Sequence, residues 1–424
     1  MSPRALALAL IALGCRSRAN APTDARVVRR DGVATSASSY AGVALPVQSG
    51  TQPRWRYLAH GPRPRGTERW RFDLTPRDAS GEPATDGTTV FVTAARGVAE
   101  GLTDGELYAF DLSDGTLRWH VPVGGVHGAP VEVFDGKVFV DTIPHCRAFG
   151  TFTPGVALRP CLENAPGGLI AFDASTGQER ARVRVAPELQ RSLWTVVRHG
   201  DALWTHDGAA GLRAINPATL ALGARIATGG RALNLTSNGD ELHYTVESRA
   251  TTRLVARSPH EARARWERAL PLRTLCPVLT ADSWLVLPAF SAANVAGAAR
   301  GVRTSDGSDL WVASEVPTLV QGCAVIDGSV FYQVLDGEVV AVGVGDGHPR
   351  GKFSWRGERT SELTVALDGV FYLGLRDRLA GVELARGAEV FSLRTGATVS
   401  EGVVLWGGRG VVVTRQPGLV VGFE

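Results

Sequence analysis

One phrase constrains the fold of this chain more than any other: Ala109-Phe110-Asp111-Leu112-Ser113-Asp114-Gly115-Thr116-Leu117-Arg118-Trp119. It reads Ala-x-Asp, then Gly four residues after the Asp, then Trp four after the Gly. The phrase returns as Ala171-Phe172-Asp173-Ala174-Ser175-Thr176-Gly177, with Ala181 where the Trp is due. A recurring unit of this size signals a repeat architecture. Each copy predicts two strands joined by a tight turn. Residues 107–111 alternate apolar and polar, Asp114-Gly115 supplies the positive φ, and residues 117–121 run back.

Degenerate copies follow on the same spacing. Asn216-Pro217 turns residues 212–215 toward 220–226, and residues 254–256 lead to Trp266. Gly307 precedes Trp311, residues 339–342 lead through Gly347 to Phe353, and Val382 leads through Gly387 to Phe391. The C-terminus, Leu419-Val420-Val421-Gly422-Phe423-Glu424, matches the strand ending in Asp111 and then stops. Its missing partner stands at the other end, where Gly66 and Trp70 keep the spacing with no strand of the phrase before them. A second ladder of turns runs through Asp86-Gly87, Asp135-Gly136, Gly200-Asp201, Asn238-Gly239, Asp282-Ser283, Asp327-Gly328, Asp368-Gly369 and Gly408-Arg409. Both ladders count eight, mostly about forty residues apart. The expected fold is therefore all-β: an eight-bladed β-propeller of four-stranded antiparallel blades. An N-terminal strand at about residues 67–73 closes the ring by completing the C-terminal blade, which removes both free edges. A β-sandwich, the alternative, explains neither the constant period nor the matching ends.

The Ala-x-Asp-x-x-x-Gly-x-x-x-Trp phrase resembles the tryptophan-docking motif of pyrroloquinoline-quinone (PQQ)-like propellers, and residues 55–66 resemble the lead-in before their closing strand. The resemblance covers about residues 53–424. It implies that Trp70, Trp119, Trp266 and Trp311 pack between neighbouring blades as core rather than bind ligand.

Composition suits a large globular unit: 424 residues, 44% hydrophobic and 21% charged, with 50 glycines for the turns. A net charge of +3 carries no large electrostatic footprint for nucleic acid. Residues 1–15 read as a lipoprotein signal peptide, with Arg4 before an apolar stretch too short to span a bilayer. Ala12-Leu13-Gly14-Cys15 resembles a bacterial lipobox, with Cys15 as the lipidated residue; ordinary secretion is the alternative. Arg16, where an inner-membrane retention signal has Asp, points to the outer membrane, on its periplasmic side. Residues 16–52 read as a flexible tether and residues 53–424 as the propeller.

Four further cysteines in an exported chain suggest two disulfides. Cys146–Cys161 would close a short loop within one insertion, worth on the order of 3 kcal/mol. Cys276–Cys323 would join equivalent points of adjacent inner strands, each cysteine starting its strand. The cysteine and histidine spacing fits no zinc pattern.

With the strands of each blade lettered A to D outward, the tight turns are all A–B or C–D. The long connections, residues 93–104, 141–167 and 288–300, are all B–C and lie on the opposite face with the cysteines. Long insertions on one side of a repeat array mark a binding side. His127, Arg191, Arg231, Arg273 and Arg359 stand about nine residues before five A–B turns, on the connections into the channel; they would form a basic collar round its mouth on that face, solvated loop arginines being the alternative.

Catalytic signatures are absent: no Gly-x-Ser-x-Gly elbow, no His-Glu-x-x-His, and a Gly-rich stretch at 343–347 with no helix after it. Quinoprotein dehydrogenases of the resembled family carry adjacent cysteines and a calcium held by Glu, Asn and Asp; the chain has no adjacent cysteines. No cofactor and no metal is expected. A second branch of the family, the propeller lipoproteins of outer-membrane β-barrel assembly, implies a non-catalytic scaffold. Such a scaffold binds an envelope protein through the loop-rich face and meets the membrane only through its lipid, as a monomeric propeller. The alternatives are a PQQ-dependent dehydrogenase and a periplasmic sensor of an anionic ligand.

Overall fold

A computed structural model describes residues 56–58, 62–79, 81–96, 105–124, 126, 131–142, 168–184, 196–206, 211–247, 252–270, 273–274, 279–281, 284–290, 297–316, 320–326, 329–334, 338–354, 363–367, 369–383, 386–415 and 417–424. Among the described residues every regular element is a strand, and the strands form eight sheets. Sheet I holds Ala84–Thr85 with Arg77–Ala79, then Thr89–Arg96, Gly105–Asp111 and Leu117–Gly124. Sheet II holds Val131–Phe134, Lys137–Thr142, Gly168–Asp173 and Glu179–Arg184. Sheet III holds Val197–His199, Ala202–His206, Gly211–Ile215 and Leu222–Ala227. Sheet IV holds Arg231–Ser237, Leu242–Glu247, Thr252–Arg257 and Trp266–Leu270. Sheet V holds Leu279–Ala281 with Arg273–Thr274, then Trp284–Phe290, Gly297–Arg303 and Asp309–Val316. Sheet VI holds Val320–Ile326, Ser329–Val334, Glu338–Gly343 and Pro349–Ser354. Sheet VII holds Leu363–Leu367, Val370–Gly374, Arg378–Glu383 and Ala388–Arg394. Sheet VIII holds Thr398–Trp406, Arg409–Arg415, Leu419–Phe423 and, from the other end of the chain, Glu68–Asp73.

The terminal strands meet as the sequence predicts. Glu68–Asp73 runs antiparallel to Leu419–Phe423, and Thr67 and Glu424 exchange backbone hydrogen bonds of 2.9 and 3.0 Å. Apolar side chains gather between sheets rather than within one. Val90, Phe110 and Leu112 of the sheet I segment pack with Val404, Val411 and Val420 of sheet VIII, and Phe91 and Leu107 of sheet I pack with Val133 and Ile170 of sheet II. Sheets III and IV meet through Trp204, Leu212, Tyr244 and Val255, and sheets VII and VIII through Tyr372, Phe391, Val403 and Phe423.

Docking tryptophans lock four of the seams, VIII to I, I to II, IV to V and V to VI. Each stands on an outermost strand opposite a small residue: Ala109↔Trp119, Ala256↔Trp266, Gly301↔Trp311 and Gly422↔Trp70. The indole then reaches the next sheet and donates its N–H to a turn carbonyl. Trp70 bonds Leu112 O at 3.2 Å, Trp119 bonds Ala174 O at 3.1 Å, Trp266 bonds Thr304 O at 2.6 Å, and Trp311 bonds Val344 O. Its ring covers the turn glycine: a Cβ on Gly115 would lie 2.4 Å from Trp70, and one on Gly307 2.6 Å from Trp266. These glycines have positive φ, +73° and +72°, and their N–H closes the turn on the residue four back.

Two seams use a different fit. Where Ala181 replaces the tryptophan, the next turn has Leu220 in place of glycine, at φ 55°, buried and packed in the cluster that Ala181 abuts. A small residue on one side is met by a large one on the other. Phe391, opposite Gly381, faces Gly66 at 3.2 Å from an added Cβ. Phe353 is not the docking residue of its sheet: it pairs with Val339, and Gly351, four residues after Gly347, pairs with Ala341 in the docking register. Residues 349–353 alternate as a strand, so Phe353 lies two positions, about 7 Å, beyond the docking point.

The connection expected at 288–300 is shorter, because Pro288 pairs with Ala299 and residues 288–290 and 297–300 belong to the strands Trp284–Phe290 and Gly297–Arg303. The connection at 93–104 likewise begins only after Arg96, and the last A–B turn centres on Gly407-Gly408, both with positive φ, one residue earlier than read.

Gly136, also at positive φ (+67°), has nothing within 4 Å of an added Cβ. Gly136→Ala is therefore expected to cost only the backbone strain, ~1–2 kcal/mol, whereas Gly115→Ala adds the overlap with Trp70, about 2 kcal/mol more, in denaturant unfolding. Ala181→Trp alone is expected to destabilise by about 2 kcal/mol through collision with Leu220, and Leu220→Gly in the same chain to recover at least half of that in a double-mutant cycle.

Candidate functional site

The two ends of the sheets differ. Hairpin turns such as Asp135-Gly136, both with positive φ, and the Asp-led C–D turns occupy one end. In the C–D turns Asp111 Oδ1 accepts from Ser113 N at 2.8 Å and Ser113 Oγ at 2.6 Å, while Arg118 pairs with Oδ2 at 2.6 Å. Asp173, with Ser175 and Arg180, does the same. The hydrogen bonds from Ser113, then the Arg118 guanidinium, hold the Asp111 carboxyl well below the ordinary carboxylate range. These acids cap their own turns and have no capacity left for calcium.

The opposite end is the loop-rich face. Of the five collar positions, Arg231 opens the inner strand of sheet IV, opposite Glu247, and Arg273 opens that of sheet V, opposite Phe290. His127, Arg191 and Arg359 lie outside the described residues, as do Cys15, Cys146, Cys161 and Cys276. Cys323 is fourth in Val320–Ile326, paired with Tyr332, rather than at the start of its strand. The inner strands of sheets V and VI touch, as a Cys276–Cys323 bridge requires.

A polar cluster on this face escaped the sequence reading. Glu106, second residue of its strand, accepts the Tyr108 hydroxyl at 2.5 Å and the Arg77 guanidinium at 2.9 Å, and His120 Nδ1 lies 3.5 Å away. Tyr108 and His120 stack at 5.6 Å. Glu106 and Tyr108 share a strand face by their spacing of two, which is a visible signal; that Arg77 arrives from the preceding connection is not. Burial first, then the bond to Glu106, pushes the Tyr108 hydroxyl up to about 12. With both oxygens engaged, Glu106 is an anchor for the connection into sheet I rather than a free base.

A second cluster lies at the seam of sheets III and IV, toward the turn end. His243 is fully buried, with neither ring nitrogen hydrogen-bonded; Nε2 is 3.7 Å from Glu241, which Arg265 approaches at 3.3 Å. His199 shares a 2.8 Å bond with Ser237. Burial, then the charges of Arg265 and His199, lowers His243 to about 4. Among the described residues no three His, Cys, Asp or Glu side chains converge as metal ligands. The chain's five cysteines include no adjacent pair.

All-β architecture, four-stranded antiparallel sheets and tryptophan docking define a PQQ-like β-propeller. The family described as outer membrane protein assembly factor BamB matches residues 62–274, and the chain belongs to this family. No curated protein sequence matches the chain. In structure it is similar to BamB from Moraxella catarrhalis, with a TM-score of 0.59, 14% identity, and coverage of 84% of this chain and 99% of that one. It is also similar to a europium-containing methanol dehydrogenase: TM-score 0.58, 12% identity, coverage 86% and 88%. A quinohemoprotein alcohol dehydrogenase from Pseudomonas putida HK5 has a TM-score of 0.58, 12% identity and coverage of 86% and 78%. At these identities the likeness shows the fold alone.

Because His243 is held neutral, its contribution is complete above the unfolded value near 6.5 and is lost as pH falls toward 4. Stability is expected to drop by about 1.4 kcal/mol per pH unit across that window, and His243→Leu to flatten the slope in urea unfolding at pH 7, 6, 5 and 4.5.

Proposed function

We propose that this chain is a non-catalytic scaffold of the cell envelope, which binds a protein partner through its loop-rich face and serves outer-membrane protein assembly. The observation that carries this reading is the match of residues 62–274 to the BamB family. The geometry is consistent with it. Asp111, Asp173 and Glu106 are each committed to turn or connection bonds. The reading takes the eight sheets as one closed ring. It holds the chain to the periplasmic side of the outer membrane by a lipid on Cys15, with Cys146–Cys161 and Cys276–Cys323 stiffening the loop-rich face. The basic collar of His127, Arg191, Arg231, Arg273 and Arg359 supplies the charge that an acidic partner segment would meet.

Crosslinked capture from envelope membranes tests the reading. The full chain is expected to recover an outer-membrane assembly protein, and Arg231→Ala with Arg273→Ala to weaken that capture about tenfold, a loss of ~1.4 kcal/mol. Dye reduction with alcohols on adding PQQ and Ca²⁺ would replace it with a dehydrogenase. Binding of a small anion without any protein partner, lost in the same double variant, would replace it with a ligand sensor.

A further inference from the structure

Arg56–Leu58 is a fifth strand on sheet VII, unforeseen in the repeat. It pairs parallel with Leu363–Leu367, in the register Arg56↔Val365, Tyr57↔Ala366, Leu58↔Leu367. The other edge of Leu363–Leu367 is taken by Val370–Gly374, and this innermost strand touches those of sheets VI and VIII. The added strand therefore lies on the axis side of the sheets. Its direction follows from its partner's. Leu363–Leu367 runs from the loop-rich end to the turn before Val370, so a parallel strand enters at the loop-rich end and leaves at the turn end.

The residues that follow agree independently. Pro62 lies against the A–B turn of sheet VIII, 3.3 Å from a Cβ built on Gly408. Arg63 Nη1 is 3.7 Å from Glu383, where the third strand of sheet VII reaches its C–D turn. Gly66 then meets Phe391, and Glu68–Asp73 returns toward the loop-rich end as the outermost strand of sheet VIII. Arg56 thus lies beside the middle of the inner strand, Leu58 beside its turn end, and Pro62 at the turn end of sheet VIII.

We infer that Arg56–Leu58 is a clasp. The axis-facing edge of sheet VII is a strand-accepting site, its occupant is this chain's own residues 56–58, and Arg56, the first residue of the clasp, is its end directed toward the loop-rich face. Parallel pairing occupies an inner edge that would otherwise present free backbone donors and acceptors. On the same face Arg231 and Arg273 open their inner strands. Only the further consequence, that this face is turned toward a lipid anchor, rests on the reading of Cys15 given above. A three-residue strand is short, so its hold depends on position rather than on length.

Disulfide trapping in the full chain tests both pairing and direction. Arg56→Cys/Val365→Cys and Leu58→Cys/Leu367→Cys are expected to link on mild oxidation at least about tenfold faster than the crossed pairs Arg56→Cys/Leu367→Cys and Leu58→Cys/Val365→Cys. Peptide mapping identifies the link among the native cysteines. Crossed pairs linking as fast, or neither parallel pair linking in variants with native circular dichroism, would overturn the clasp. If the variants misfold, hydrogen exchange on the unaltered chain decides: those amides of 56–58 that face Leu363–Leu367 are expected to exchange at least about a hundredfold slower than free peptide, and free-peptide rates at every one of the three would overturn it. Acyl mass on Cys15 is read separately, so loss of the anchor reading leaves the clasp standing, and the reverse.

Discussion

A tryptophan from one sheet lying over a glycine in the turn of the next is the contact on which the propeller depends. Four-stranded sheets of this size cannot bury their own apolar faces, and the described core clusters each span a seam between two sheets. The seam is held by geometry as much as by area. Glycine at positive φ lets the ring approach to a distance no side chain would allow, and the indole N–H satisfies a turn carbonyl that the seam would otherwise bury. The small residue opposite each aromatic, always Ala or Gly in the paired registers described, leaves room for the ring to turn toward its neighbour.

Departures from this lock follow the same volume rule. Ala181 and Leu220 exchange large and small across the seam, at the cost of a leucine in a left-handed turn. At the seam of sheets III and IV the turn between Arg257 and Trp266 is longer, its carbonyls at Glu261 and Ala262 tied by Arg257. There the seam buries polar groups, His199, His243 and Glu241, instead of a docked ring. Uniform seams support the sheets, while the functional reading rests on what differs between the two faces. Turn acids saturate one face with their own backbone hydrogen bonds; inner-strand starts, long connections and the Arg56 end of the clasp mark the other.

Much of this was legible along the chain. Gly115, Gly177 and Gly307 announce their turns, because only glycine tolerates that backbone beneath an indole. The matched ends, Trp70 and Phe423, identified the sheet shared by both termini. Phe353 misled because it stands six residues after Gly347, two more than the Gly-to-Trp spacing of the phrase, which falls on Gly351. Pro288 misled because proline commonly marks a connection, yet here it lies within Trp284–Phe290 and pairs with Ala299. Of the collar, Arg231 and Arg273 were expected on the connections into the channel and are the first residues of inner strands. The Arg77–Glu106–Tyr108–His120 cluster was missed because it joins two segments separated by a connection.

By itself, the amino-acid sequence determined the repeat, the turns, the strand alternation and the partnership of the two ends. Those depend on local backbone preference and on a period that any single unit displays. Tertiary structure alone decided which large residue answers which small one across a seam, that His243 is buried without a hydrogen bond, and that Arg56–Leu58 lies along the axis rather than outside it. Such outcomes depend on which surfaces are brought within a few ångströms by the other sheets, and no local signal along the chain encodes that proximity.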